Sequence, residues 1–193
     1  MISANQVQEE FSTFGQWQTR FENSSSVTCV LDEGRRLIYC NPAWDAFALY
    51  NNGIRATSRH VLGQQLFDYI PEVLQDHYDR LLLRAALGRK IVGSDYECNT
   101  DGKFRKFRLV LLPIPKTNLL AMVHALRIER PMTLPSLDPA ICRFPNKAVT
   151  MCAQCRRTKG GDCRWNWVPD FVRNPPERVS HGICPECMMY LYV

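Results

Sequence analysis

Two Cys-x-x-Cys loops near the C-terminus restrict this chain more than any other feature. Cys152 and Cys155 form one, Cys184 and Cys187 the other, with 28 residues between them. Such a loop turns both of its sulfurs toward one point, and a zinc ion there would lie about 2.3 Å from each. Two loops brought together make a closed tetrahedral site without an open position, so a structural role is expected and not a hydrolytic one. A segment of this size, 151–193, seldom buries enough surface to fold without a metal or disulfides, and structural zinc supplies on the order of 10–16 kcal/mol in such peptides. Zinc is therefore the expected ion, ahead of an iron–sulfur cluster. Four reduced thiols, or a thiol pair that oxidises and releases metal, is the competing reading.

The other cysteines fit a reducing setting. Nine cysteines in 193 residues cannot all pair within one chain. The first ten residues are polar and do not read as a secretory signal, and the apolar run Leu109–Ile114 is far too short to span a bilayer. A cytoplasmic protein with no membrane association is the expectation. Cys163 and His181 lie close enough in sequence to replace a ligand, or to orient the loop and donate to a sulfur. Gly182 and Pro185 flank Cys184, the glycine permitting close approach to a metal and the proline opening a helix.

Composition places the boundary between regions. Residues 131–150 carry Pro131, Pro135, Pro139 and Pro145 and read as an extended linker. Beyond residue 139 there are eight Lys/Arg against four Asp/Glu, a net of +4, so most of the chain's +5 charge belongs to the cysteine-rich end. Four thiolates and a zinc ion would remove two of those charges, which weakens a nucleic-acid role. Trp165 and Trp167, which share one face if this segment is a strand, read first as the small core of this module. With Arg156, Arg157, Lys159 and Arg164 they could instead stack on bases.

Residues 1–23 read as an amphipathic helix, with Val7, Phe11, Phe14, Trp17 and Phe21 on one stripe that either docks on the following domain or forms a homodimer. Residues 24–130 read as mixed α and β. Ser26–Leu31 and Arg36–Cys40 make a hairpin turned by Asp32-Glu33-Gly34. Asn41-Pro42 caps and opens a helix. Leu62–Ile70 is a compact turn segment and Glu72–Leu87 a stronger helix. Ile91–Cys98, Phe104–Leu112 and Leu119–Ile128 are three further strands, the second alternating along Phe104–Arg108 as a half-exposed strand would.

The order β-β-α-α-α-β-β-β, carried by Val30-Leu31-Asp32, Ile38–Trp44, Leu62–Ile70 and Arg105–Pro113, resembles the PAS sensor fold. The resemblance implies an α+β domain: a five-stranded antiparallel sheet with helices on one face. The last module, with His181–Cys187 reading His-Gly-Ile-Cys-Pro-Glu-Cys, looks like a treble clef or zinc ribbon. Together the two parts resemble bacterial PAS-containing signalling proteins. PAS domains hold haem, flavin or metabolites between helices and sheet. The flavin motif with its cysteine is absent here. A haem would need an axial ligand, and His77, which borders the apolar face of the long helix, is the candidate for it; a boundary histidine hydrogen-bonded at the surface is the competing reading. Cys29, Tyr96, Cys98 and His124 are, with His77, the candidate pocket residues.

No phosphate-binding glycine loop, nucleophile elbow or His-Glu-x-x-His motif is present. The expected function is that of a non-enzymatic sensory or signal-transduction protein. Its PAS-like domain would sense a ligand or dimerise, and its zinc module would stabilise the chain or contact an unidentified signalling protein. A thiol redox sensor, a DNA-binding regulator and a haem sensor are the alternatives.

Overall fold

A computed structural model describes residues 14–142 and 148–191. Val7 and Phe11 of the N-terminal stripe lie outside them, as do residues 143–147 of the proline-rich stretch. The described part of the stripe forms helix α1 (Phe14–Glu22). Strands β1 (Val27–Leu31) and β2 (Leu37–Cys40) follow, then α2 (Pro42–Tyr50), a 3-10 turn at Ile54–Ala56, the short α3 (Ser58–Val61) and a second 3-10 turn at Leu66–Tyr69. Helix α4 (Glu72–Gly88) leads to β3 (Val92–Glu97), β4 (Lys103–Pro113) and β5 (Leu120–Pro131). These five strands form one antiparallel sheet in the order β2-β1-β5-β4-β3. Among the described residues no helix is long and apolar enough to cross a membrane.

Asn41 organises the first hairpin. It is fully buried, and its Oδ1 accepts from the backbone N–H of Thr28 and of Trp44, both at 3.0 Å. Its Nδ2 donates to the carbonyls of Phe21 and Ser26, both at 2.9 Å. One side chain thus caps α2 and ties β1 to the end of α1, which explains why an asparagine and not merely any cap residue stands there.

The chain divides into two compact units. The first comprises Met1–Ile70, Tyr78–Gly93 and Leu109–Ala125. Its α1 places Phe21 in a cluster with Val30, Tyr39, Ile114 and Ala121, and Trp17 packs on that cluster. Along β1 the alternation sends Val30 to this cluster and Cys29 and Leu31 to the opposite face. The aromatic stripe of α1, which precedes the sheet, thus packs on an apolar surface that Val30, Tyr39 and Ala121 supply.

The second unit comprises Pro71–His77, Ser94–Arg108 and Leu126–Val193. It contains the turn end of the β3–β4 hairpin, Ser94–Arg108, and a four-stranded sheet in the order β8-β7-β6-β9, built from β6 (Val149–Cys152), β7 (Thr158–Lys159), β8 (Trp165–Asn166) and β9 (Val179–Gly182). β6 runs antiparallel to β7 and parallel to β9. Helix α5 (Pro169–Arg173) lies between β8 and β9, and α6 (Pro185–Leu191) ends the described chain. The stretch 131–150 contributes to this unit's core: Cys142 is buried with Val149, Met151, Val168 and Phe171, and Leu137 packs against them. The N–H of Leu137 donates to the Trp167 carbonyl at 2.9 Å. Pro139 opens a 3-10 turn, Pro139–Cys142, that buries Cys142; a proline fits the first position of such a turn, so this stretch is not extended throughout.

The alternation of β4 also has a result that composition hides. Arg105, Phe107, Leu109 and Leu111 are the buried positions, so a cation lies on the inward face. Its Nε donates to the Cys98 carbonyl at 2.8 Å, and the guanidinium lies 5.9 Å from the centre of the Phe107 ring.

Candidate functional site

β6 ends at Cys152, and the chain turns at once. The N–H of Cys152 donates to the Arg157 carbonyl at 2.7 Å, and that of Arg156 donates back to Cys152 at 3.1 Å. Arg156 takes a left-handed conformation, φ 66°, to close this knuckle. Cys184 stands just before α6, and Cys187 lies in the first turn of that helix. The two loops face each other, and the Cys184 N–H points at the Cys152 sulfur at 3.5 Å.

All four sulfurs lie within 4.8 Å of one another. Those of Cys155 and Cys184 are 3.5 Å apart. A tetrahedron with zinc–sulfur bonds of about 2.3 Å requires sulfur separations of about 3.8 Å, so the donor set and its spacing fit zinc. The four residues are essentially sealed from solvent, with Trp165 and Ile183 packed around them. Such a cluster can hold a metal in a closed, all-thiolate shell.

Arg157 completes the electrostatics. Its Nη1 donates to the Cys155 sulfur at 3.1 Å and lies 3.7 Å from that of Cys184. The same nitrogen is 3.5 Å from Glu97 Oε2 and 4.0 Å from Glu186 Oε2. Burial works against this guanidinium's charge, but the negative charge of Cys155 and Glu97 outweighs it and holds the group protonated. Within the cluster, hydrogen bonds from Cys155 first, then from Cys184 and Cys187, hold the Cys152 thiol far below its ordinary range. The Cys184 thiol is likewise held down, while those of Cys155 and Cys187 are pushed up by the neighbouring sulfurs, so the four behave as one group.

The site extends to the β3–β4 hairpin. Asn99 is fully buried; its Nδ2 donates to Glu97 Oε2 and to the Cys155 carbonyl, both at 3.2 Å. Its Oδ1 accepts from the Arg105 N–H at 2.9 Å. Arg157, Glu97 and Asn99 were not candidates by sequence. A Glu-x-Asn pair at the end of one strand has no short-range link to a knuckle more than fifty residues away. Arg157 read as one surface cation among several.

The remaining candidates lie elsewhere. Cys163 is exposed in the β7–β8 turn, also with a left-handed backbone (φ 64°), and His181 is exposed in β9 opposite Met151; neither joins the four sulfurs. A Cβ at Gly182 would come 3.1 Å from the Trp165 ring, so this glycine serves the packing of the tryptophan and not an approach to metal. Trp167 is buried in the same unit. Cys29 is buried opposite Cys40 and Met122. Burial pushes its thiol well above the ordinary range. Tyr96 stacks on Phe107 with centroids 5.5 Å apart, and Cys98 is half-buried and gives its carbonyl to Arg105. His77 is buried on α4. His124 lies in β5, and desolvation pushes its imidazole down to about 4. A cavity of about 280 Å³ in the first unit is lined by other residues, among them Leu31, Arg35, Leu82, Leu87 and Leu120.

A family model described as PAS fold matches residues 21–128. No curated protein matches the chain. Among solved structures, the PAS domain of BvgS from Bordetella pertussis shares 19% identity, covering 64% of this chain and 89% of its own, with a TM-score of 0.46. A domain of an HTR-like protein from Haloarcula marismortui shares 14%, covering 54% of this chain and all of its own, with a TM-score of 0.39. The PAS domain of nitrogen regulation protein NR(II) from Vibrio parahaemolyticus shares 19%, covering 60% and 96%, with a TM-score of 0.36. The family match takes in more than half of the chain, from the end of α1 to within β5, and on it the chain belongs to the PAS fold family.

Proposed function

We propose that this protein is a non-enzymatic sensory or signal-transduction protein, whose four-cysteine cluster holds a structural zinc ion in a small module of the treble-clef or zinc-ribbon kind. Membership of the PAS family supports the sensory role. The observation that carries the zinc reading is the convergence of Cys152, Cys155, Cys184 and Cys187 within 4.8 Å in a buried shell. Zinc would supply a rigid tetrahedral cross-link between the β6–β7 knuckle and the start of α6. The chain's own residues orient that shell: the Cys184 N–H and the Arg157 guanidinium direct hydrogen atoms at sulfur. A shell of four thiolates leaves no position for a water nucleophile, which supports a role in stability and not in hydrolysis.

Elemental analysis and a visible spectrum of the purified protein test this reading. One zinc per chain and a colourless protein are expected. Iron with sulfur-to-iron charge-transfer bands, or a metal-free protein with oxidised cysteines, would overturn it.

A further inference from the structure

We propose that metal occupancy of the four-cysteine cluster controls the order of the β3–β4 hairpin, through Arg157, Glu97 and Asn99. This rests on the zinc reading above and extends it: the cluster becomes an input to the sensor sheet as well as a staple of its own module. Two buried connections carry it, both spanning more than fifty residues of sequence. The first is direct. Asn99 donates to the carbonyl of Cys155, itself a candidate ligand, while its Oδ1 holds the Arg105 N–H. Any displacement of Cys155 is therefore felt at the base of the hairpin, where the N–H of Cys98 donates to Arg105 and that of Thr100 to Lys103.

The second connection is electrostatic. One nitrogen of Arg157 is shared between two sulfurs at 3.1 and 3.7 Å and the Glu97 carboxylate at 3.5 Å. This nitrogen thus bridges the sulfurs to Glu97, and Glu97 is also the partner of Asn99. Movement of the Cys155 and Cys184 sulfurs is passed on through Arg157, so both connections end on residues 97–105.

Hydrogen exchange followed by mass spectrometry on the full chain tests this, with zinc content measured first. Zinc is then removed by a chelator in the presence of a thiol reductant. Exchange at residues 98–105 is expected to rise by about tenfold or more, while β1 (27–31) is unchanged. By linkage, Asn99→Ala in the zinc-loaded protein is expected to weaken zinc in a chelator competition, with the metal content still one per chain at saturation. Equal exchange in loaded and stripped protein overturns the proposal. So does a rise at β1 as large as at the hairpin, which would mean general unfolding. A protein that never contains zinc instead overturns the reading on which this rests.

Discussion

Arg157→Leu isolates the charge at the centre of the site. The residue is 9% exposed and Glu97 4%. At 3.5 Å the pair attracts by about 5 kcal/mol at an effective dielectric of 20. Desolvation of both groups opposes most of that, so the pair's net worth is small. Removing one partner is different: it leaves Glu97 buried against Asn99 alone and strips the sulfurs of their donor. A loss of about 3–5 kcal/mol in unfolding free energy is expected for Arg157→Leu, and zinc affinity should fall roughly 10–100-fold. Glu97→Leu alone should cost a similar amount. The double variant should cost less than the sum, by about 1–3 kcal/mol, because the second substitution removes the stranded charge. Arg157→Lys keeps the charge but lacks the planar fork that serves sulfur and carboxylate together, so it should fall between. Urea unfolding of the zinc-loaded proteins, followed by tryptophan fluorescence, measures the stabilities. A colorimetric chelator competition measures the affinities. Costs under about 1 kcal/mol for Arg157→Leu, or strict additivity in the double variant, would refute the assignment of this residue to the site.

Three further outcomes are expected. Arg156→Gly should stabilise the protein by roughly 0.5–1 kcal/mol, since glycine relieves a left-handed φ at modest entropic cost; an unchanged or lower midpoint in thermal unfolding would count against the strain. Asn41→Ala should cost about 2 kcal/mol, because it leaves the buried Thr28 N–H without its acceptor and removes the side-chain cap of α2; calorimetry of the two proteins checks it. His124 has its imidazole pushed down to about 4 by burial, against an ordinary value near 6.5. The unfolded chain therefore binds the proton first. The stability this neutral group contributes is complete above pH 6.5 and is lost as the pH falls toward 4, by about 2 kcal/mol after allowing for partial exposure. Replacing it in His124→Leu should flatten the difference between urea midpoints at pH 7 and pH 4.5; parallel acid limbs in the two proteins would contradict this.

The contrast between what the chain reveals in one dimension and what it hides follows from the range of the forces involved. β1, β2, α2 and α4 were legible because each is decided by neighbours: an Asp-Glu-Gly turn, an Asn-Pro cap, an apolar repeat. The four cysteines were legible because a metal shell imposes a local spacing. Arg105, Arg157, Glu97 and Asn99 were not, since a buried charged or polar residue is tolerated only where distant partners satisfy it, and no local pattern records those partners. Cys142 and Leu137 were hidden for a related reason: prolines state which regular structures are disfavoured, not whether the segment between them, here partly a 3-10 turn, is solvated or buried. The larger part of what sequence missed is a set of polar contacts that join β3–β4 to the knuckle. Each group in that set would be costly to bury alone, and each is satisfied by the others: Arg157 by sulfur and Glu97, Glu97 by Asn99, Asn99 by Cys155 and Arg105. Such mutual dependence makes the set cooperative. A change at the sulfurs cannot remain confined to the knuckle, and that is the physical basis for treating the cluster as more than a clamp.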